Sequence, residues 1–418
     1  MTNKTRAVSV GFFSLYFFSS QSNAFLTSDL DSVKTDPNVK GVSAGIWHRV
    51  EVPGTVCGNG SQYKFFVRTN PYSKDLTINF EGGGACWDYE SCSGKSGIRG
   101  AANIKGIKDD YMNLKKGLAS LSTPFIAPID PLQTVETQTW NIVFFPYCTG
   151  DLYVGNKYAV YKDPTKKNPD LLWHHAGRKN MELSIDWLKK HFNKPEKMLV
   201  TGCSAGGGGS IINYHFVRSG LNPDKGFLLD DSGPIFPAIA GDNSFPLHTK
   251  IREAWNLDPV INELKSVFPQ LNENNLGSLN EALATNYPND RLSITLFQMD
   301  YNYSLYSYER FFSPTPKRND IHRMWQEDTK KLRDVLDKYP NFAYYMPYFR
   351  KLNNSHCASI VSFQDTDIQA QNMDLGKFVK NLLDEGAPLK SYVEDVNYDD
   401  FTKPSIPWDI INNVLSHQ

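Results

Sequence analysis

Ser204, Asp300 and His356 lie far apart in the chain, yet each follows a stretch that reads as a β-strand. A serine hydroxyl is a weak nucleophile until an imidazole takes its proton. A carboxylate on the far ring nitrogen then fixes the tautomer and stabilises the charged ring. The chain order Ser, Asp, His is the one used on α/β-hydrolase sheets. Around Ser204 the local pattern fits as well. An apolar β-type run at 198–201 enters Gly202-Cys203-Ser204-Ala205-Gly206, a G-x-S-x-G pattern, and residues 211–217 read as helix. Strand, tight turn and helix make a nucleophile elbow, in which small neighbours let the serine occupy a strained turn.

A second chemical element is Glu81-Gly82-Gly83-Gly84-Ala85-Cys86-Trp87, directly after the strand expected at 76–80. Glycines at a strand's carboxyl end let backbone N–H groups turn inward toward a ligand, as an oxyanion hole requires. A phosphate cradle is the competing reading, but no G-K-[ST] follows. Two aspartates compete for the acid. Asp231 lies one strand after the elbow, and Asp300 one strand further, the commoner position. Asp231 is expected instead to brace loops of the site through backbone N–H bonds.

The elements that must position these groups alternate along the chain. Strands are predicted at 63–67, 76–80, 141–145, 198–201, 226–229, 292–299 and 342–349. Helices are predicted at 177–192, 211–217 and about 320–338, with 245–290 helical and loop-rich. Met181, Ile185, Leu188 and Phe192 form one core-facing stripe of the first helix. The pattern implies an α/β fold: a mostly parallel, doubly wound sheet with helices on both faces and long inserted loops. Ligands then sit at the strands' carboxyl ends. Residues 95–139 are expected to wrap one mouth of the site. The aromatic stretch 301–308 is expected to stack on sugar rings or to pack, and His174 and His175 to serve as packing or capping residues.

The chain has 418 residues, 44 basic and 45 acidic, for a net charge of -1. That balance points to no nucleic-acid partner and no membrane surface. Lys4 and Arg6 precede an apolar run at 7–18, and Ser22-Asn23-Ala24 supplies a small-x-small site. Residues 1–24 therefore read as a signal peptide, and 25–418 as one domain that is secreted or periplasmic. No later run reaches the roughly 18 apolar residues of a membrane span. Export turns the six cysteines into a disulfide framework with 15 formal pairings. Cys86 and Cys92 are close enough for a local bridge. No C-x-x-C or histidine cluster suggests zinc.

Glu81 to Trp87, Pro146-Tyr147-Cys148, Gly202 to Gly207 and Asp231-Ser232-Gly233 together resemble the pectin acetylesterase/Notum family, over about 57–357. The resemblance implies an α/β-hydrolase-like fold and a secreted carboxylesterase without metal or organic cofactor. It also implies Ser204 as nucleophile, His356 as base, Asp300 as acid, and the N–H groups of Gly83, Gly84 and Ala205 as oxyanion hole. The animal branch carries Trp after the paired glycines. This chain has Gly84-Ala85, which implies a differently lined acyl pocket. The leading expectation is removal of acetyl groups from a polysaccharide such as pectin. The alternatives are release of longer acyl chains from a peptide or lipid, and a silent secreted binding protein.

Overall fold

Leu76–Phe80 and Asn141–Phe145 are buried at every position, as strands covered on both faces must be. In the computed structural model, which describes residues 45–96, 100–113, 119–126 and 135–395, they belong to a set of eleven strands. These are β1 (Trp47–Val50), β2 (Phe65–Arg68), β3 (Leu76–Phe80), β4 (Asn141–Phe145), β5 (Lys157–Tyr161), β6 (Leu171–His175), β7 (Lys197–Cys203), β8 (Lys225–Asp231), β9 (Arg291–Thr295), β10 (Phe342–Met346) and β11 (Tyr392–Val393). The signal peptide expected at 1–24 lies outside the described residues, as do parts of 95–139.

Nine strands form one sheet in the order β1-β2-β4-β3-β7-β8-β9-β10-β11. From β4 to β11 all neighbours are parallel. β1 and β2 add an antiparallel edge. This is the α/β, mostly parallel sheet that the alternation implied.

The two faces can be read from residue parity. Val200, Leu228, Phe342 and Tyr344 point into a large core that also takes Met181, Ile185 and Leu188 of the helix Gly177–His191, Ile211 and Val217 of the helix Ala205–Leu221, and Trp325 and Leu332 of the helix Arg318–Leu336. Leu199, Phe227, Leu229, Ala343 and Tyr345 point the other way, onto Leu375, Phe378, Val379 and Leu382 of the helix Leu375–Leu383. Helices cover both faces, unequally.

Where the sequence carried an expectation, three regions depart from it. β5 and β6 pair as an antiparallel hairpin, so His174 and His175 are strand residues on opposite faces. His175 is buried, and His174 sits edge-on to Tyr158 at 4.3 Å. Residues 301–308 form a helix, Tyr301–Tyr308, with the Asp300 side chain as its cap. β9 and β10 stop short of their predicted ends because the ladder becomes irregular. Gln298 and Met299, neighbours in sequence, both donate across, to the carbonyls of Pro347 and Tyr348. Pro347 has no N–H to return a bond.

Candidate active site

Since β3, β7, β8, β9 and β10 are consecutive in the sheet, their carboxyl ends bring Glu81–Gly84, Ser204, Asp231, Asp300 and His356 to one edge. Ser204 has φ 59° and ψ -122°, a left-handed conformation that a residue with a side chain adopts at a cost. Its N–H donates to the Asp231 carbonyl at 2.8 Å, and its carbonyl accepts from the Gly208 N–H at 3.0 Å. The turn is tight enough to demand glycine. A Cβ on Gly206 would stand 2.1 Å from the Phe80 carbonyl oxygen.

The glycine loop lies against this turn. A Cβ on Gly82 would stand 3.3 Å from Ser204 Cβ, and one on Gly83, at φ +140°, would stand 2.4 Å from Ala102 Cβ. Among the described residues, no backbone acceptor takes the N–H groups of Gly83 or Gly84. Ala205 opens the helix Ala205–Leu221, where N–H groups have no partner within the helix. Glu81 anchors the loop from below. Its carboxyl accepts from the Tyr111 hydroxyl at 2.7 Å, the Tyr147 N–H at 2.9 Å and the Asn103 amide at 3.2 Å. Desolvation nonetheless pushes this carboxyl up to about 7.

His356 is 6% exposed, and its Nδ1 lies 2.7 Å from Asp300 Oδ2. A carboxylate only accepts, so Nδ1 carries the proton and Nε2 keeps its lone pair. The other oxygen of Asp300 accepts from the N–H groups of Asn302 and Tyr303 at 3.0 and 2.8 Å. One carboxylate thus caps a helix and orients the ring.

Cys57–Cys148, Cys86–Cys92 and Cys203–Cys357 are disulfide-bonded. The last links the residue before Ser204 to the residue after His356. His175 lies near Cys86 and Cys92 with metal-like spacing. Both sulfurs are in a disulfide, however, and the ring nitrogens meet the Tyr161 hydroxyl and the Thr149 carbonyl.

The pectinacetylesterase family model matches residues 37–335. The chain belongs to that family. Pectin acetylesterase 4 of Arabidopsis thaliana is 27% identical over 41% of this chain and 38% of its own length. Palmitoleoyl-protein carboxylesterase notum2 of Xenopus laevis is 27% identical over 39% of this chain and 30% of its own. The chain therefore spans less than half the length of these curated relatives. The solved structure of the Wnt deacylase Notum from Drosophila aligns with TM-score 0.51 and 17% identity, covering 83% of this chain and 92% of that one. At that identity the likeness speaks for the fold.

In this pectinacetylesterase-family chain two further residues organise the site. Asp231 does not meet His356. Its Oδ1 accepts from the Ala358 N–H at 2.9 Å, and its Oδ2 from the Ser359 N–H and hydroxyl at 2.7 and 2.6 Å. Burial raises its carboxyl, while those bonds and the Arg350 charge oppose the rise. Arg350, 2% exposed, went unnoticed in the sequence. It donates to the carbonyls of Ser362 and Gln364 at 3.1 Å each and to that of Cys357, fastening the loop that bears His356. Burial lowers the guanidinium to about 10. No short motif surrounds Arg350, since its partners are backbone carbonyls at offsets of 7 to 14 residues. An apolar cavity lined by Leu152, Val154, Ile235, Trp255 and Leu264 includes none of these site residues.

Proposed function

We propose that the chain is a secreted serine carboxylesterase, exported by residues 1–24 and acting as one domain from about residue 25, that removes acetyl groups from a polysaccharide such as pectin. The observation that carries this reading is the His356–Asp300 bond on a loop disulfide-linked to the residue before Ser204. Ser204 Oγ attacks the ester carbonyl as His356 Nε2 takes its proton. The N–H groups of Gly83, Gly84 and Ala205 receive the oxyanion. The imidazolium, held by Asp300, gives that proton to the departing sugar oxygen. Water, deprotonated by His356, then cleaves the acyl-serine and releases the carboxylic acid.

A second reading has specific support in the similarity to palmitoleoyl-protein carboxylesterases: release of a long acyl group from a protein. A panel of acetylated pectin, acetylated xylan and a palmitoleoylated peptide separates the two. Acetate release from pectin, lost in Ser204→Ala by on the order of 10⁶ in kcat, is the expected result. Hydrolysis of the acyl peptide alone would replace the first reading with the second. Equal turnover by Ser204→Ala would remove both.

A further inference from the structure

Gly83 and Gly84 can offer N–H groups to an oxyanion only if their peptides are turned toward it, and glycine does not turn them by itself. The restraint comes from residues 100–113, part of the stretch expected to wrap one mouth of the site. Ala102 donates its N–H to the Gly83 carbonyl at 3.0 Å. In a trans peptide the carbonyl and the N–H that follows it point in opposite directions. With its carbonyl taken by Ala102, Gly83 therefore sends the Gly84 N–H to the other side, where among the described residues no backbone acceptor takes it.

What fixes Ala102 is the residue after it. Asn103 has φ 50°, a left-handed backbone that asparagine adopts more readily than most residues. Its carbonyl closes a turn by accepting from the Gly106 N–H at 2.8 Å. Its side-chain amide donates toward the Glu81 carboxyl at 3.2 Å, the Tyr147 carbonyl at 2.9 Å and the Tyr111 hydroxyl at 2.9 Å. The Tyr111 hydroxyl passes its own proton to Glu81 at 2.7 Å, and the Tyr147 N–H donates to Glu81 at 2.9 Å. Asn103 is thus tied both to the residue that precedes the glycines and to the chain just past β4. None of these bonds involves Ser204 or His356.

We infer that Asn103 is a positioning residue for the oxyanion hole: its amide, fastened to Glu81 and Tyr147, holds the Ala102 N–H on the Gly83 carbonyl and so aims the Gly84 N–H at the oxyanion. The inference rests on the esterase reading and deepens it by naming the side chain that turns the donor. Negative charge on the ester oxygen develops only as Ser204 attacks. A misaimed N–H therefore weakens the transition state and leaves binding of the uncharged ester nearly as it was. A side chain that merely supported the fold would show no such split.

The test compares the mature parent with Asn103→Ala and Asn103→Gly in kcat and KM for 4-nitrophenyl acetate. It also compares their Ki for a trifluoromethyl ketone, whose adduct with Ser204 carries an oxyanion. Glycine suits the positive φ at least as well as asparagine, so Asn103→Gly removes the side-chain bonds without straining the turn and should remain folded. In both variants kcat should fall about 10-fold or more, short of the roughly 10²- to 10³-fold that loss of a whole donor costs. KM should stay within about 2-fold of the parent. Ki for the ketone should rise by about the factor by which kcat falls. A folded Asn103→Gly with the parent's kcat overturns the inference, as does a fall in kcat with Ki unmoved, or a loss confined to KM. Each of these leaves the esterase reading standing. A parent that neither hydrolyses the ester nor binds the ketone overturns both.

Discussion

The turn that carries Ser204 and the loop that carries His356 meet at one sheet edge but are held by different means. The turn is held by backbone. It follows β7, is bonded to β8 through Ser204 and Asp231, and fits against the Phe80 carbonyl only because Gly206 has no side chain. The loop is held by side chains and a cross-link. Asn353, Asn354 and Ser355 all have positive φ, so no regular ladder or helix supports them. Asp231, Arg350 and Cys357 supply the restraint instead. Ser204, the proposed nucleophile, thus rests on strain locked in by packing, whereas His356, the proposed base, depends on a few long-range bonds that single substitutions can cut.

The sharpest way to test that contrast is to exchange the roles of the two aspartates. Asp300→Asn keeps the helix cap but offers the ring an amide, so His356 adopts the wrong tautomer. It should fold normally and lose about 10⁴-fold in kcat. Asp231→Asn should instead melt lower, because three donors on Ala358 and Ser359 would meet an amide in place of a carboxylate. Its kcat per folded molecule should stay far higher. Thermal melts and single-substrate kinetics run in parallel check both, and the reverse pattern would make Asp231 the acid.

The next largest effect concerns the cross-link. Cys203 and Cys357 are 154 residues apart, and closing a loop of that length is worth about 5 kcal/mol in the chain-entropy account. The Cys203→Ser/Cys357→Ser double variant should lose a large share of that stability in denaturant unfolding. Its kcat should also fall, because the His356 loop has been freed. Unchanged stability and kcat would mean that the Asp231 and Arg350 bonds hold the loop without help.

On the glycine side, Gly83→Val should lower kcat about 10²-fold by displacing an oxyanion donor. It should also lower the melting temperature, since its Cβ meets Ala102 and φ +140° strains any side chain. Wild-type kcat in a folded variant would reduce the loop to a turn.

The smallest expected effect is a pH dependence. Glu81 has its folded pKa raised to about 7 from 4.5. The folded state therefore holds a proton that the unfolded chain has released. The stability this gives is full below about 4.5 and is lost as pH rises through about 7. Glu81→Gln lacks that dependence. Between pH 4 and pH 8 its stability relative to the parent should improve by on the order of 3 kcal/mol. A difference that does not vary with pH would contradict the assigned burial of Glu81.

The same contrast governs what the sequence reveals. β3 and β4 were legible to the residue, because β-branched and aromatic residues bounded by turn signals mark both: Leu76, Ile78 and Phe80 alternate with Thr77 and Asn79, and Ile142 to Phe145 is an unbroken apolar run. The elbow was legible because its geometry demands small residues at fixed spacing. The hairpin β5–β6 was missed although Tyr158, Ala159, Val160 and Tyr161 do alternate in burial, since two of its outward positions are apolar and blur the pattern. The helix Tyr301–Tyr308 was missed because aromatic residues on several of its faces hide a 3.6-residue period; the one local sign was Asp300 as cap. The Asp231 brace was expected, but its partners, Ala358 and Ser359, lie more than 120 residues away. Arg350 acts on carbonyls, which every residue has, so nothing in its surroundings could announce it.

The proposed esterase chemistry requires that Ser204 be the residue acylated in turnover. Mature protein treated with a fluorophosphonate and mapped by peptide mass spectrometry tests it most directly. One adduct per chain is expected, on the peptide that contains Ser204, formed in step with loss of activity. An adduct on another residue, or full inhibition with Ser204 unmodified, would contradict it.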